Sequence, residues 1–375
     1  MARTRRPLER PPVAIDVAPA YEMLMSLVTA LDAGDADTYE VGTDWIAEIR
    51  SRAGNDLLAR LESASLGDPD SFIHLIPLAY DTPAPRDVAA FLAHLRKTDA
   101  DEIRLHLVQY YARETRRMTP ASVIQAAIHG DADAQQEFLR TSYADWEPWT
   151  QYLRSVFAAD GEALKAEIIG ALEEWNERVW APESLTILPI LERDADARRE
   201  ALRELPMEEF IQAATNGVEF VPRPGIERVV MVPSFVNRPL VSFTEFGEVL
   251  LIIYPVGDES VSAFTDSPPL RLVRLSKALA DEKRLRILRA LSDGEKTLME
   301  LAETFGVAKT TMHHHMIILR SAGLVSVGVG SKRYRLRTET VPDVGALLSG
   351  YLCCSPSVSA VEARPSAPSK ARAGG

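Results

Sequence analysis

Cysteine is almost missing from this chain: among 375 residues there are two, Cys353 and Cys354, side by side near the end. Adjacent cysteines cannot staple a large fold, so a disulfide-dense secreted scaffold is excluded and a reducing compartment is expected. The sequence also lacks any run of about 18 uncharged apolar residues, which removes a spanning helix from consideration. The opening MARTRRPLERPP is basic, yet no apolar stretch follows it as a secretory signal requires. A soluble, cytoplasmic protein without a membrane partner is therefore expected. There is no phosphate-cradling glycine loop, no GxSxG elbow, no HExxH and no CxxC. No catalytic residue, cofactor or metal site is assigned on these grounds, and the chain is not expected to be an enzyme.

With 46% hydrophobic residues, the chain is long enough for two or three packed domains. The net charge of −12 reads poorly for a nucleic-acid binder until it is divided by region. Residues 271–340 hold 14 Lys and Arg against 7 Asp and Glu, whereas the first 270 residues hold 25 against 45. Basic charge is thus confined to one segment on an acidic body. Screening reaches only about 8 Å at physiological salt, so affinity for phosphate stays local to that segment.

The pattern along the chain predicts a mainly α protein with small β content. Residues 1–18, with Arg3, Arg5, Arg6 and Arg10 among prolines, read as a disordered basic arm. Residues 19–256 read as a mainly helical body, because stretches such as YEMLMSLVTALDA and EALKAEIIGALEEWNERV place apolar residues three and four apart. From 216 to 256 the period shortens to that of strands in EFVP, RVVMVP, LVSF and VLLIIY, with NG, RPG, NRP and FGE between them, which predicts a small antiparallel sheet. Residues 257–269 read as a linker, 270–352 as a second domain, and 353–375 as a disordered tail.

The second domain predicts four helices and a hairpin. Asp281 caps DEKRLRILRALS, whose Leu285, Ile287, Leu288 and Leu291 supply a core face. Thr297 and Glu300 form a capping box for the next helix, and Gly306 closes it before VAKTTMHHHMIILRSAG. Two short helices about such a turn are the signature of a helix-turn-helix. In the last helix Met312, Met316 and Leu319 face inward, leaving Lys309, Thr310, Thr311, His313 and His314 to read the major groove. LVSVGVGSKRYRLR then forms a two-stranded wing made basic by Lys332, Arg333, Arg335 and Arg337; Lys332, Arg333 and Arg335 are expected to hold phosphates while Tyr334 and Leu336 pack inward.

Residues 274–337 resemble the ArsR-like (arsenical-repressor-type) winged-helix family, in DEKRLRILRALSDGEKTLMELAETFGVAKTTMHHHMIILRSAGLVSV followed by GSKRYRL. The resemblance covers about a sixth of the chain. It implies a homodimeric regulator of transcription, commonly a repressor, with double-stranded DNA as partner. Metal-sensing members carry two cysteines where this chain has Thr297 and Met299, so that metal site is expected to be absent. Serines frequent in the family's recognition helix are replaced by Ala308, Thr310 and His313.

Three other features invite sharper readings. Consecutive residues on a helix diverge by about 100°, so His313, His314 and His315 cannot converge on one ion, and one of them is expected to pack. Cys353 and Cys354 are read as ordinary small residues at the end of a last helix, with thiol sensing as the alternative. Trp146, Trp149, Tyr152, Trp175 and Trp180, with Tyr110 and Tyr111, either line an apolar pocket for an unidentified small-molecule effector or build core. The body is expected to set dimer geometry or to bind such an effector. The alternatives are an enzyme, or an adaptor for proteins, that carries a regulatory winged helix.

Overall fold

The computed structural model describes residues 10–32, 38–114, 119–142, 147–222, 224–261, 268–329, 332–338 and 343–353. Half of the expected basic arm, nearly all of the expected tail, the centre of the expected linker, Cys354 and the side chains of Cys353, Trp146, Tyr110 and Tyr111 lie outside the described residues.

The protein is mainly α-helical, with two small sheets. After a first strand, β1 (Val13–Ile15), the body is built from α1 (Pro19–Leu31), α2 (Gly42–Ala64), α3 (Ile76–Asp81), α4 (Val88–Lys97) and α5 (Ala100–Glu114). It continues through α6 (Ala121–Ile128), α7 (Ala132–Ser142), α8 (Glu147–Ala158), α9 (Gly161–Trp175), α10 (Ala181–Glu204) and α11 (Met207–Ala214). Helix α1 starts on Pro19, whose missing N–H costs nothing in a first turn, and every residue from Ala20 to Ala30 is buried. A helix covered on all sides is the centre of its bundle, and the largest core cluster gathers around it. Trp175 and Trp180, at the two ends of a π-helical turn over Asn176–Trp180, are fully buried there, and Tyr152 joins them. These three are core residues. The surface depressions along α7 (Asp133, Gln136, Glu137, Arg140) and between α4 and α9 (Arg96, Glu162, Lys165, Glu173, with Ile169) are lined mainly by charged residues and by none of the aromatics.

Strands β2 (Val218–Phe220), β3 (Arg228–Ser234), β4 (Ser242–Phe246) and β5 (Val249–Pro255) follow. The first sheet has the order β1-β3-β5-β4, with β1, β3 and β5 parallel and only β4 antiparallel. Two expectations are corrected here. Val13–Ile15 is a sheet strand, although it lies inside the segment read as a disordered arm. The sheet is mixed, not antiparallel: FGE closes a hairpin, with Gly247 at φ 51°, but NRP does not, because Arg238 turns into the core and β4 is placed outside β5. Strands β3 and β5 are buried on both faces, which suits parallel pairing between two layers. Val230, Val232, Leu251 and Ile253 face the helical bundle. Val229, Met231, Leu250, Ile252 and Tyr254 face α11 and β2.

The segment expected as a linker is pinned where it is described. Helix α12 (Asp258–Val261) is preceded by Gly257, whose N–H donates to Asp194 at 2.7 Å, and Ser260 donates to the same carboxylate at 3.2 Å. No helix among the described residues is long and apolar enough to cross a membrane.

Candidate nucleic-acid interface

The C-terminal domain runs α13 (Leu270–Leu279), α14 (Glu282–Ser292), β6 (Lys296–Thr297), α15 (Leu298–Phe305), α16 (Lys309–Ser321), β7 (Val325–Val329), β8 (Arg333–Leu336) and α17 (Asp343–Cys353). Local signals fix its boundaries. The Asp281 carboxylate accepts from the Arg284 N–H at 2.9 Å. Thr297 and Glu300 close a reciprocal capping box, at 3.2 and 2.7 Å. Gly306 takes the left-handed φ of 62° that ends α15 and turns the chain into α16.

Leu275, Ile287, Leu291, Leu301, Met312, Met316 and Leu319 pack into one core. Leu285, expected there, is instead 47% exposed. It stands two residues before Ile287, some 200° around the helix, and so points the other way.

On α16 the exposed residues are Lys309, Thr310, Thr311, His313 and His314, all of them expected readers. His315 is buried, with its Nδ1 unpaired. Burial holds its pKa below the ordinary histidine value, against the pull of Asp281. Ala308 caps α16 without a side-chain hydrogen bond, so its own side chain leaves the first-turn amides open. Cationic, hydroxyl and imidazole groups thus stand beside an open helix N-terminus, a combination suited to phosphate oxygens and base edges.

The wing pairs β7 with β8 through Val325–Leu336, Ser326–Arg335 and Val327–Tyr334. Lys332, Arg333 and Arg335 are exposed, and Tyr334 and Leu336 are half-buried against the core. Residues 330 and 331 of the expected VGS turn lie outside the described residues. Three contacts have no signal in the sequence. Arg333 donates to the Glu295 carbonyl at 3.1 Å and pairs with Glu300 at 3.6 Å, helped by a short third strand, β6, on the far side of β8. Arg335 pairs with Glu219, a residue of the body.

That last contact exists because β2 is not part of the first sheet. It pairs in parallel with β7, placing Val218 opposite Val327, Glu219 opposite Gly328 and Phe220 opposite Val329. The second sheet, β2-β7-β8-β6, therefore joins body and wing. A second junction lies at α13, where Arg274 pairs with Glu40 and Asp258. Neither junction has a local sequence signature.

Thr297, expected to stand with Met299 in place of a cysteine pair, is the helix cap, and Met299 is 53% exposed. Among the described residues no three His, Cys, Asp or Glu side chains group closely enough to hold a metal ion.

The helix-turn-helix domain family matches residues 279–328. The arsenical resistance operon repressor of Bacillus subtilis is 38% identical over 81 residues, which are 21% of this chain and 74% of that protein. The transcriptional repressor SdpR of Bacillus subtilis is 38% identical over 50 residues, 13% of this chain and 56% of the relative. The HTH-type transcriptional regulator CmtR of Mycobacterium tuberculosis is 44% identical over 54 residues, 14% of this chain and 46% of the relative. No solved structure matches the chain.

Proposed function

Because this chain belongs to the ArsR-like winged-helix family through its C-terminal domain, and is a transcriptional regulator with a DNA-binding helix-turn-helix, we propose that it acts as a homodimeric repressor on duplex DNA. The observation that carries this reading is the exposed row Lys309, Thr310, Thr311, His313 and His314 on an uncapped helix N-terminus. Two copies of α16 enter successive major-groove half-sites about one helical turn, ~34 Å, apart, while Lys332, Arg333 and Arg335 lie along flanking phosphates. Leu348, Tyr351 and Leu352 leave an apolar face of α17 exposed, which supports a partner subunit at that end.

The body, residues 19–256, sets the spacing of the two heads or takes up an effector that changes it. Such a ligand shifts operator affinity by its preference for one spacing over the other, and by no more. Nothing in this scheme requires catalysis.

The test is the affinity of the full chain for the intergenic duplex upstream of its own gene, against a shuffled duplex, at two salt concentrations. Tight, selective binding that weakens steeply with salt is expected. Equal weak binding to both duplexes, or none, would overturn the proposal and favour an adaptor or enzyme.

A further inference from the structure

Glu219 sits where three strands bring three side chains to one face. On β2, Val218 and Phe220 point into the core, so Glu219 between them points the opposite way. Its parallel partner on β7 is Gly328, which has no side chain to obstruct it. Two residues before Gly328, on the same face, the buried Ser326 hydroxyl donates to Glu219 Oε1 at 2.8 Å. Across from Ser326 on β8 is Arg335, whose guanidinium donates to the same oxygen. The Arg335 side chain remains 52% exposed and that of Glu219 30% exposed. A phosphate arriving at Arg335 therefore meets a carboxylate oxygen already held in place by Ser326.

We propose that Glu219 is a built-in phosphate mimic: a residue of the body that occupies a wing arginine and lowers affinity for the DNA backbone. The inference rests on the wing's assignment to DNA. A carboxylate and a phosphate oxygen make the same charge-assisted contact with a guanidinium, so they compete for it. The repulsion between them acts well inside the screening length of about 8 Å. Since the competitor stands on β2, any change in the body that draws β2 away from β7 frees Arg335. The body thereby has a direct electrostatic hold on the head.

The experiment compares full-length wild type with Glu219→Gln, Arg335→Gln and the double variant, on the upstream duplex and on a shuffled duplex across a salt series. Glutamine keeps an acceptor for Ser326 and the backbone pairing while removing the charge. Glu219→Gln is expected to bind both duplexes about fivefold more tightly, with a salt slope steeper by about one phosphate contact. Arg335→Gln is expected to cost more when combined with Glu219→Gln than in the wild type, because only without the carboxylate is the guanidinium released to a phosphate. Glu219→Thr, neutral and suited to a strand, repeats the test in case the longer amide disturbs the fold. Unchanged or weaker binding by both neutral variants, with wild-type melting behaviour, would overturn the phosphate mimic and leave DNA binding intact. A wild type that binds neither duplex would sink the functional reading itself, and this inference with it.

Discussion

Arg238 and Arg274 share one pair of carboxylates. Arg238, after β3, donates to Glu40 at 3.1 Å and to Asp258 at 2.6 Å. Arg274, on the first helix of the head, reaches the same Glu40 Oε2 and Asp258 Oδ1, each at 2.8 Å. Burial works against the charge on Arg274, but the hydrogen bonds and field of Glu40, with Asp258, outweigh it and raise its pKa. The Arg238 side chain is only 2% exposed. Removing one carboxylate leaves two arginines in a largely dry site with a single counter-charge. Glu40→Gln is expected to cost about 3 kcal/mol in urea denaturation, the range for breaking a buried pair. A loss below about 0.5 kcal/mol would place the cluster with ordinary surface pairs.

Glu22 gives the body a distinctive pH response. Its Oε1 accepts from the N–H groups of Phe235 and Val236 at 2.8 and 2.9 Å, while Oε2 has no partner. Burial raises its pKa from 4.5 to about 7, against the hydrogen bonds from Ser234 and these amides. Between those values the folded chain keeps a proton that the unfolded chain has lost, so this residue's contribution falls as pH rises through the window. The total is about 3 kcal/mol at 1.36 kcal/mol per pKa unit. Glu22→Gln is expected to gain stability on the wild type between pH 4.5 and about pH 8 by roughly that amount. An unchanged difference at the two ends of the range would refute the assignment.

The capping box of α15 tests how local the head's stability is. Thr297→Ala removes the acceptor for the Glu300 N–H, a loss of about 1 kcal/mol. Guanidinium denaturation monitored by far-ultraviolet dichroism measures it. No change would mean that tertiary packing alone holds the helix start.

Lys309→Ala and Arg333→Ala separate reading from holding. Lys309 stands at the first turn of α16, so its loss is expected to weaken binding to the upstream duplex about tenfold and to narrow the gap to a shuffled one. Arg333 is already shared with Glu300 and Glu295. Its replacement is expected to weaken binding to both duplexes alike. Unchanged affinity in both variants would remove α16 and the wing from the interface.

The parts of this fold that were legible are those whose cause lies within a few residues. Asp281, Thr297 with Glu300, and Gly306 fix helix ends by bonds three or four residues long, and the spacing of Met312, Met316 and Leu319 gives the buried face of α16 directly. What was misread depends on distant partners. RVVMVP and VLLIIY do not alternate, and that continuity signals strands covered on both faces; the short turns around them suggest a succession of hairpins that this sheet does not form. VEF at 218–220 is too short to announce which sheet it joins. Arg238 reads as a turn residue because Glu40 and Asp258, which bury it, are invisible locally. The wing arginines were seen, but not their partners Glu219 and Glu300, for the same reason.

The parallel pairing of β2 with β7 sets an order of events during synthesis. Glu219 leaves the ribosome 107 residues ahead of Ser326, the side chain it will bind. At about 5–20 residues per second that is a wait of roughly 5 to 20 seconds. Val218 and Phe220 belong to the core beneath the first sheet, so the body can seat β2 in that interval. The wing then closes onto an edge that is already there. A head produced without the body would keep β7's outer edge unpaired, open to a strand from any other chain.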